Sequence, residues 1–155
     1  MIRVLHVITG MGSGGAESMI MNWYRQIDKT KIQFDFLLSD KGDYEPEILE
    51  MGGRVFYIPY LTEKGQISYA KELKNFFKQH PEYKIVHSHI DQVTGIIMES
   101  AKKSGVPIRI AHSHNTKNSN SIFGKIYKSY LQSKINKNST HYFACSLEAA
   151  KWLFK

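Results

Sequence analysis

At 155 residues, 42% of them apolar and 23% charged, the chain has the length and balance of one globular domain and is short for two. No apolar run approaches the ~18 residues of a membrane-spanning helix. A net charge of +7 favours anionic partners such as nucleic acid, lipid headgroups or phosphorylated small molecules, but no zinc finger, base-stacking motif or arginine-rich arm is present, which sets nucleic acid aside.

The chain opens on an apolar strand, Ile2 to Thr9, with no signal-peptide architecture. A glycine-rich turn, Gly10–Met11–Gly12–Ser13–Gly14–Gly15, leads into a helix on which Met19, Ile20, Trp23, Tyr24 and Ile27 recur at helical spacing. Ile32 to Leu38 reads as the second strand, Pro46 to Met51 as a short helix stopped by Gly52 and Gly53, and Arg54 to Ile58 as the third strand. Tyr69, Leu73, Phe76 and Phe77 predict a helix for which Ser68 is the available N-cap. Lys84 to Ser88 follows as a strand, Val93 to Lys103 as a helix and Val106 to Ser113 as a strand. Ile122, Phe123, Ile126, Tyr127, Tyr130 and Leu131 form the stripe of a longer helix. His141 to Cys145 is the last strand, and Ser146 caps a helix expected to run on to Lys155 with no stop signal, as in a piece of a longer protein. The single cysteine, Cys145, cannot form an internal disulfide, which suits a reducing cytosol; a cytoplasmic protein is expected.

Strands alternating with helices throughout predict an α/β fold: a Rossmann-like, doubly wound parallel sheet that takes residues 1–155 as one domain.

Gly10, Gly12 and Gly15 satisfy G-x-G-x-x-G between a strand and a helix, and Asp40 closes the second strand where a dinucleotide fold holds the ribose. An NAD(P)-binding domain of an oxidoreductase is therefore one reading, and a tight strand-to-helix turn is another. Against a dinucleotide, Glu17 puts a carboxylate in the helix's first turn, where it competes with pyrophosphate for the free amides. Asp40 also stands further from Gly15 than the usual ~20 residues.

His87 and His89 flank Ser88, and His112 and His114 flank Ser113. Side chains two apart on a strand share a face, so each pair is expected to be co-facial at a strand's C-terminal end, where open α/β sheets bind their ligands. Imidazoles there suit a zinc ion, structural bonds to loop carbonyls, or contacts to a substrate in the cleft.

The loop Ile8–Thr9–Gly10–Met11–Gly12–Ser13–Gly14–Gly15–Ala16–Glu17 resembles the first loop of the family 4 retaining GT-B glycosyltransferases, in which a glycine pair is followed by Ala-Glu. The resemblance continues in order through Val86–His87–Ser88–His89–Ile90, Ile110–Ala111–His112–Ser113–His114–Asn115 and Phe143–Ala144–Cys145–Ser146, essentially the whole chain. It implies the N-terminal, acceptor-side half of a glycosyltransferase of bacterial exopolysaccharide or capsule synthesis. The C-terminal domain that grips the nucleotide-sugar lies outside this sequence, so the chain alone is expected to be inactive. The resemblance further implies that His114 contacts the donor sugar as the catalytic residue and that Gly14, Gly15, His89 and Asn115 bind substrate. Gly12, Glu17, His87 and His112 are further candidates. It implies no cofactor and no metal: the nucleotide-sugar is a substrate, and the acceptor is a glycan or a lipid-linked glycan.

Lysines are densest between Lys117 and Lys137. Over Asn118 to Asn138, Phe123, Tyr127, Tyr130 and Leu131 alternate with Lys125, Lys128 and Lys134. Such a helix either packs on the sheet with its lysines in solvent or docks peripherally on the anionic inner face of the plasma membrane, where Lys102, Lys103 and Arg109 could add charge. A non-catalytic nucleotide- or phosphosugar-binding module is the remaining alternative.

Overall fold

The computed structural model describes residues 1–115 and 122–154, and the side chains of all of these except 62, 64 and 122–125. Six strands alternate with helices as the hydrophobic periodicities predict. The strands are β1 (Ile2–Val7), β2 (Ile32–Leu38), β3 (Val55–Tyr57), β4 (Ile85–Ser88), β5 (Ile108–Ser113) and β6 (His141–Ala144). They pair in parallel in the order β3-β2-β1-β4-β5-β6. The order reverses between β1 and β4, and this switch point is where a doubly wound sheet opens a crevice.

The helices are α1 (Gly15–Gln26), α2 (Glu45–Glu50), α3 (Leu61–Gln79), α4 (Thr94–Lys103), α5 (Ile122–Asn138) and α6 (Leu147–Leu153). Strand alternation decides which layer each covers. Phe34, Phe36 and Leu38 turn to one face, where Ile20, Met21 and Tyr24 of α1 and Ile48 of α2 pack on them. Leu5, Val7, Leu37 and Val86 turn to the other, under Leu73 and Phe77 of α3, Ile96 and Ile97 of α4 and Leu131 of α5. Between these two cores Asp35, fully buried in β2, accepts from Arg3 (2.5 and 2.6 Å), the Tyr83 hydroxyl (2.7 Å) and the Arg54 amide (2.8 Å). A buried carboxylate survives in a sheet only when its oxygens are satisfied in this way.

Three local expectations need correction. Ser68 lies inside α3 rather than at its N-cap, because the chain enters this helix at Leu61 and breaks it at Gly65, whose φ of 75° is open to glycine. The last helix does not run to the end of the described chain: it closes at Leu153, and the Phe154 amide returns to the Ala150 carbonyl. Ser146 does cap it, its hydroxyl accepting from the Ala149 amide at 3.1 Å. The expected stripe of α5 turns outward in part, Ile126, Tyr127 and Tyr130 being exposed while Leu131 and Ile135 are buried.

The basic surface is less free than its lysine count suggests. Lys103 and Lys134 both pair with Glu99, and Arg109 turns onto the carbonyls of Val106, Pro107 and Asn138. These groups sit at the N-terminal end of β5 and the last turns of α4 and α5, away from the crevice. The start of the lysine-rich segment, 116–121, and the side chains of Phe123 and Lys125 lie outside the described residues. Among the described residues no helix is long and apolar enough to cross a membrane.

Candidate active site

Beyond the C-terminal ends of β1, β4 and β5 lies a cavity of about 790 Å³ whose wall includes Gly15, Glu17, His89, Asp91, His114 and Asn115. It occupies the position the switch point predicts for a ligand. Of the candidates singled out in the sequence, Gly15, Glu17, His89, His114 and Asn115 therefore meet at one wall. Gly12 and Gly14 stand off it, and His87 and His112 lie buried behind it.

The glycines of the loop divide by what surrounds them. A Cβ on Gly10 would press on the Asp40 carbonyl at 3.2 Å, so Gly10 lets β1 turn tightly beside the end of β2. A Cβ on Gly12 or Gly15 would meet nothing within 4 Å, leaving open space in front of the start of α1. Gly14 precedes that helix in an extended conformation, and a Cβ there would collide with the Glu17 carboxylate, which folds back over the helix terminus. The carboxylate thus occupies the partial positive end of α1, where a dinucleotide's pyrophosphate would need to sit.

The histidine pairs are co-facial, as their spacing requires, with ring centroids 4.2 Å apart for His87 and His89 and 4.1 Å for His112 and His114. A fifth imidazole joins them: His6 of β1, in register with His87, is hydrogen-bonded to His89 at 3.0 Å. His89 is bonded in turn to His114 at 2.9 Å, and His87 to His112 at 3.1 Å. Cys145 closes the set, its sulfur 3.1 Å from His114 Nδ1 and 3.8 Å from His112 Nε2. Trp23 of α1 lies over the pair from the helix side, its ring stacked on those of His87 and His112. Among the described residues the rings thus bond to one another, not to loop carbonyls as one reading had it.

Burial disfavours the charged form of each ring, and the neighbouring imidazoles add to the effect. It brings His6 down to about 3, His87 to about 2 and His112 to about 4, and holds His89 well below its ordinary value. His114 is lowered by burial too, while the charges of Asp91 and Glu17 pull it back up. At neutral pH the cluster is an array of uncharged imidazoles. Two triads, His6–His87–His89 and His89–His112–His114, bring one ring nitrogen per residue within 4.8 Å of one another, close enough to gather round an ion. Within them His6 Nδ1 bonds to His89 and His89 Nδ1 to His114, while His6 Nε2 has no partner among the described residues.

Asp91 was not among the sequence candidates. It has a left-handed backbone, φ 34°, unusual for a side chain with a Cβ. One carboxylate oxygen accepts from the Asn115 amide at 2.8 Å, and the other is buried with no partner among the described residues. His6, Trp23 and Cys145 were also passed over. The only sequence signal for His6 was a histidine in an otherwise apolar strand, and its meaning depends on a pairing register that the sequence does not show.

A parallel sheet of this order with a ligand-sized cavity at its switch point defines a Rossmann-like binding domain, and the placement of the glycine loop and the histidine pairs around that cavity narrows the class. The sequence matches the profile of glycosyltransferase family 4 over residues 13–155. It is 40% identical, over 98% of its length, to a Bacillus subtilis (strain 168) protein that carries the name glycosyltransferase EpsF. Over 83% of its length it is 27% identical to the capsular polysaccharide biosynthesis glycosyltransferase CapH of Staphylococcus aureus. The chain belongs to glycosyltransferase family 4. It spans 41% of the length of the EpsF relative and 35% of CapH. Among solved structures it resembles MurG of Acinetobacter baumannii (TM-score 0.61, 13% identity, 96% of this chain and 42% of that one). It also resembles Anabaena HepE in complex with UDP and glucose (TM-score 0.66, 13% identity, 99% of this chain and 40% of that one). These two likenesses concern the fold.

Proposed function

We propose that this chain is the acceptor-side domain, residues 1–155, of a longer glycosyltransferase that moves a sugar from a nucleotide-sugar to a glycan or lipid-linked acceptor with retention of configuration. Exopolysaccharide or capsule assembly is the proposed setting, which the name of the CapH relative supports, and the cytoplasmic side of the membrane is its proposed place. The observation that carries the reading is the cavity wall, where the open glycine turn of α1 faces His89, His114 and Asn115 across a space large enough for a sugar. UDP and glucose in the HepE complex make a uridine nucleotide-sugar the first donor to try.

In this reading His114 orients donor-sugar hydroxyls near the anomeric carbon, and Asn115, held by Asp91, does the same beside it. Gly15 leaves room for the sugar beside the helix terminus that the Glu17 carboxylate occupies. The second domain of the longer protein supplies the grip on the nucleotide, and its closure excludes water. The reading requires no resident metal, because fixed donors of the second domain meet the departing diphosphate. Ile126, Tyr127 and Tyr130 of α5 are exposed, an apolar patch suited to peripheral contact with a membrane that carries the acceptor.

The test uses the full-length protein with a panel of nucleotide-sugars and a membrane extract, with released nucleotide as the readout. His114→Ala is expected to lower kcat/KM by about 10²–10³-fold, the scale seen when one positioned donor is removed from a transfer site. Release should vanish when the protein is cut after Lys155. Failure to turn over any donor would sink the proposal.

A further inference from the structure

The ring contacts form one unbranched chain. His6 Nδ1 meets His89 Nε2, His89 Nδ1 meets His114 Nε2, and His114 Nδ1 meets the Cys145 sulfur. The same sulfur faces His112 Nε2, and His112 Nδ1 meets His87 Nε2. Each inner ring thus uses Nδ1 towards one neighbour and Nε2 towards the other. A neutral imidazole has one N–H and one lone pair, so fixing the proton on any ring of the arm His6–His89–His114 fixes it on all three, while the Cys145 sulfur, able to accept from both sides, leaves His112 and His87 independent.

Along this arm only two assignments satisfy every link. In one, each ring is protonated at Nδ1 and donates outwards from His6. In the other, each is protonated at Nε2 and donates inwards. They differ at the buried end, because His6 Nε2 has no partner among the described residues. The inward assignment places an unpaired N–H there, and the outward one places only a lone pair. Orphaned buried donors are the rarer and costlier of the two. The outward assignment therefore prevails.

We infer that His6 and His89 are positioning residues that hold His114 in its Nδ1–H tautomer, so that His114 meets a sugar hydroxyl as a hydrogen-bond donor. With Nε2 taken by His89, Nδ1–H is the only edge of this ring that can be exchanged. Its present acceptor, the Cys145 thiol, is exposed and a weak acceptor, which makes it the link a hydroxyl oxygen replaces. Donation suits a sugar oxygen lone pair, and the same ring could not act as a base towards that oxygen without breaking the chain behind it. The inference rests on the transferase reading only for the identity of the hydroxyl.

The full-length protein labelled with 15N-histidine tests it by long-range 1H–15N correlation above pH 7. His89 and His114 are expected to show a protonated, pyrrole-type Nδ1 and a bare, pyridine-type Nε2. Replacing His89 by Leu removes the donor to His114 Nε2, and the His114 spectrum should lose its single tautomer. His89→Asn, whose amide can stand near the lost Nδ1, should restore it. A pyridine-type Nδ1 on His114 in the unsubstituted protein would overturn the inference, and that measurement needs no variant to fold. A protein that released no nucleotide but carried Nδ1–H on His114 would refute the transferase reading alone. One that turned over a donor with Nε2–H on His114 would refute this inference alone.

Discussion

Gly15 lines the crevice and Gly42 packs on the loop that follows β1, and the space around them predicts opposite consequences for the same substitution. A Cβ on Gly15 enters open space at the first position of α1, where φ is not in the left-handed region, so Gly15→Ala meets no clash and gains helix propensity. It should leave the thermal midpoint unchanged or raise it slightly, a gain of at most about 1 kcal/mol, while filling the approach of a sugar beside the helix terminus. A Cβ on Gly42 would overlap the backbone of Met11, a contact that no rotamer can relieve. Gly42→Ala should cost about 1–3 kcal/mol by forcing two loop backbones apart. Denaturant titrations of the two variants, with donor turnover measured alongside, separate the roles. Loss of stability in Gly15→Ala would mean that the loop's glycines serve the turn and not a ligand.

Elements are placed by how closely their backbones can approach, and the α4–α5 contact shows what this demands of sequence. Gly95 in the first turn of α4 would, with a Cβ, stand 2.5 Å from the Leu131 carbonyl of α5 and 3.1 Å from the Lys134 Cβ. Gly95→Ala must therefore push α5 away from α4 and loosen the pairing of Lys134 with Glu99. The expected cost is about 1–3 kcal/mol in a chemical denaturation curve, and an unchanged midpoint would show that the helices shift freely. This contact was not legible beforehand: Gly95 sits in a helical pattern like any tolerated glycine, and its neighbour is 36 residues away. What was legible came from local periodicity. The strand over Ile32–Leu38 was expected with its observed bounds, and the apolar stripe of α1 placed Ile20 and Tyr24 on its buried face. On α5 spacing misled: Ile126, Tyr127 and Tyr130 are exposed and Leu131 with Ile135 turns inward. The break at Gly65 and the strained Asp91 lay beyond such reasoning, since both are set by what packs around them. For the site, co-facial histidine pairs followed from a two-residue period. The fifth ring and the thiol required the strand register that only long-range pairing supplies.

At the scale of the whole molecule, β1, β4 and β5 gather five imidazoles at the middle of the sheet, and their burial links folding to pH. In the unfolded chain each ring binds a proton near its ordinary value of 6.5, whereas in the fold His112 does so only at about 4, His6 at about 3 and His87 at about 2. Between those values the unfolded state carries more protons, so stability rises with pH across the window and is lost as pH falls through it. At pH 5 a ring so suppressed destabilises the fold by about 2 kcal/mol relative to neutral pH, and three together by about 6 kcal/mol. That is comparable with the whole stability of a typical domain, about 5–15 kcal/mol. Carboxylates held low by cations, such as Glu99 beside Lys134 and Lys103, act in the same direction but lose their contribution only below the ordinary carboxylate value of 4.5. The two contributions are therefore separated in pH. The thermal midpoint is expected to fall steeply between pH 7 and pH 5, before the contribution of Glu99 is lost. His6→Phe, which places an apolar ring against Phe34 and Phe36, should reduce that slope by about one proton. A midpoint flat down to pH 5 would mean that water reaches the rings and that the chain of uncharged imidazoles behind His114 does not exist in solution.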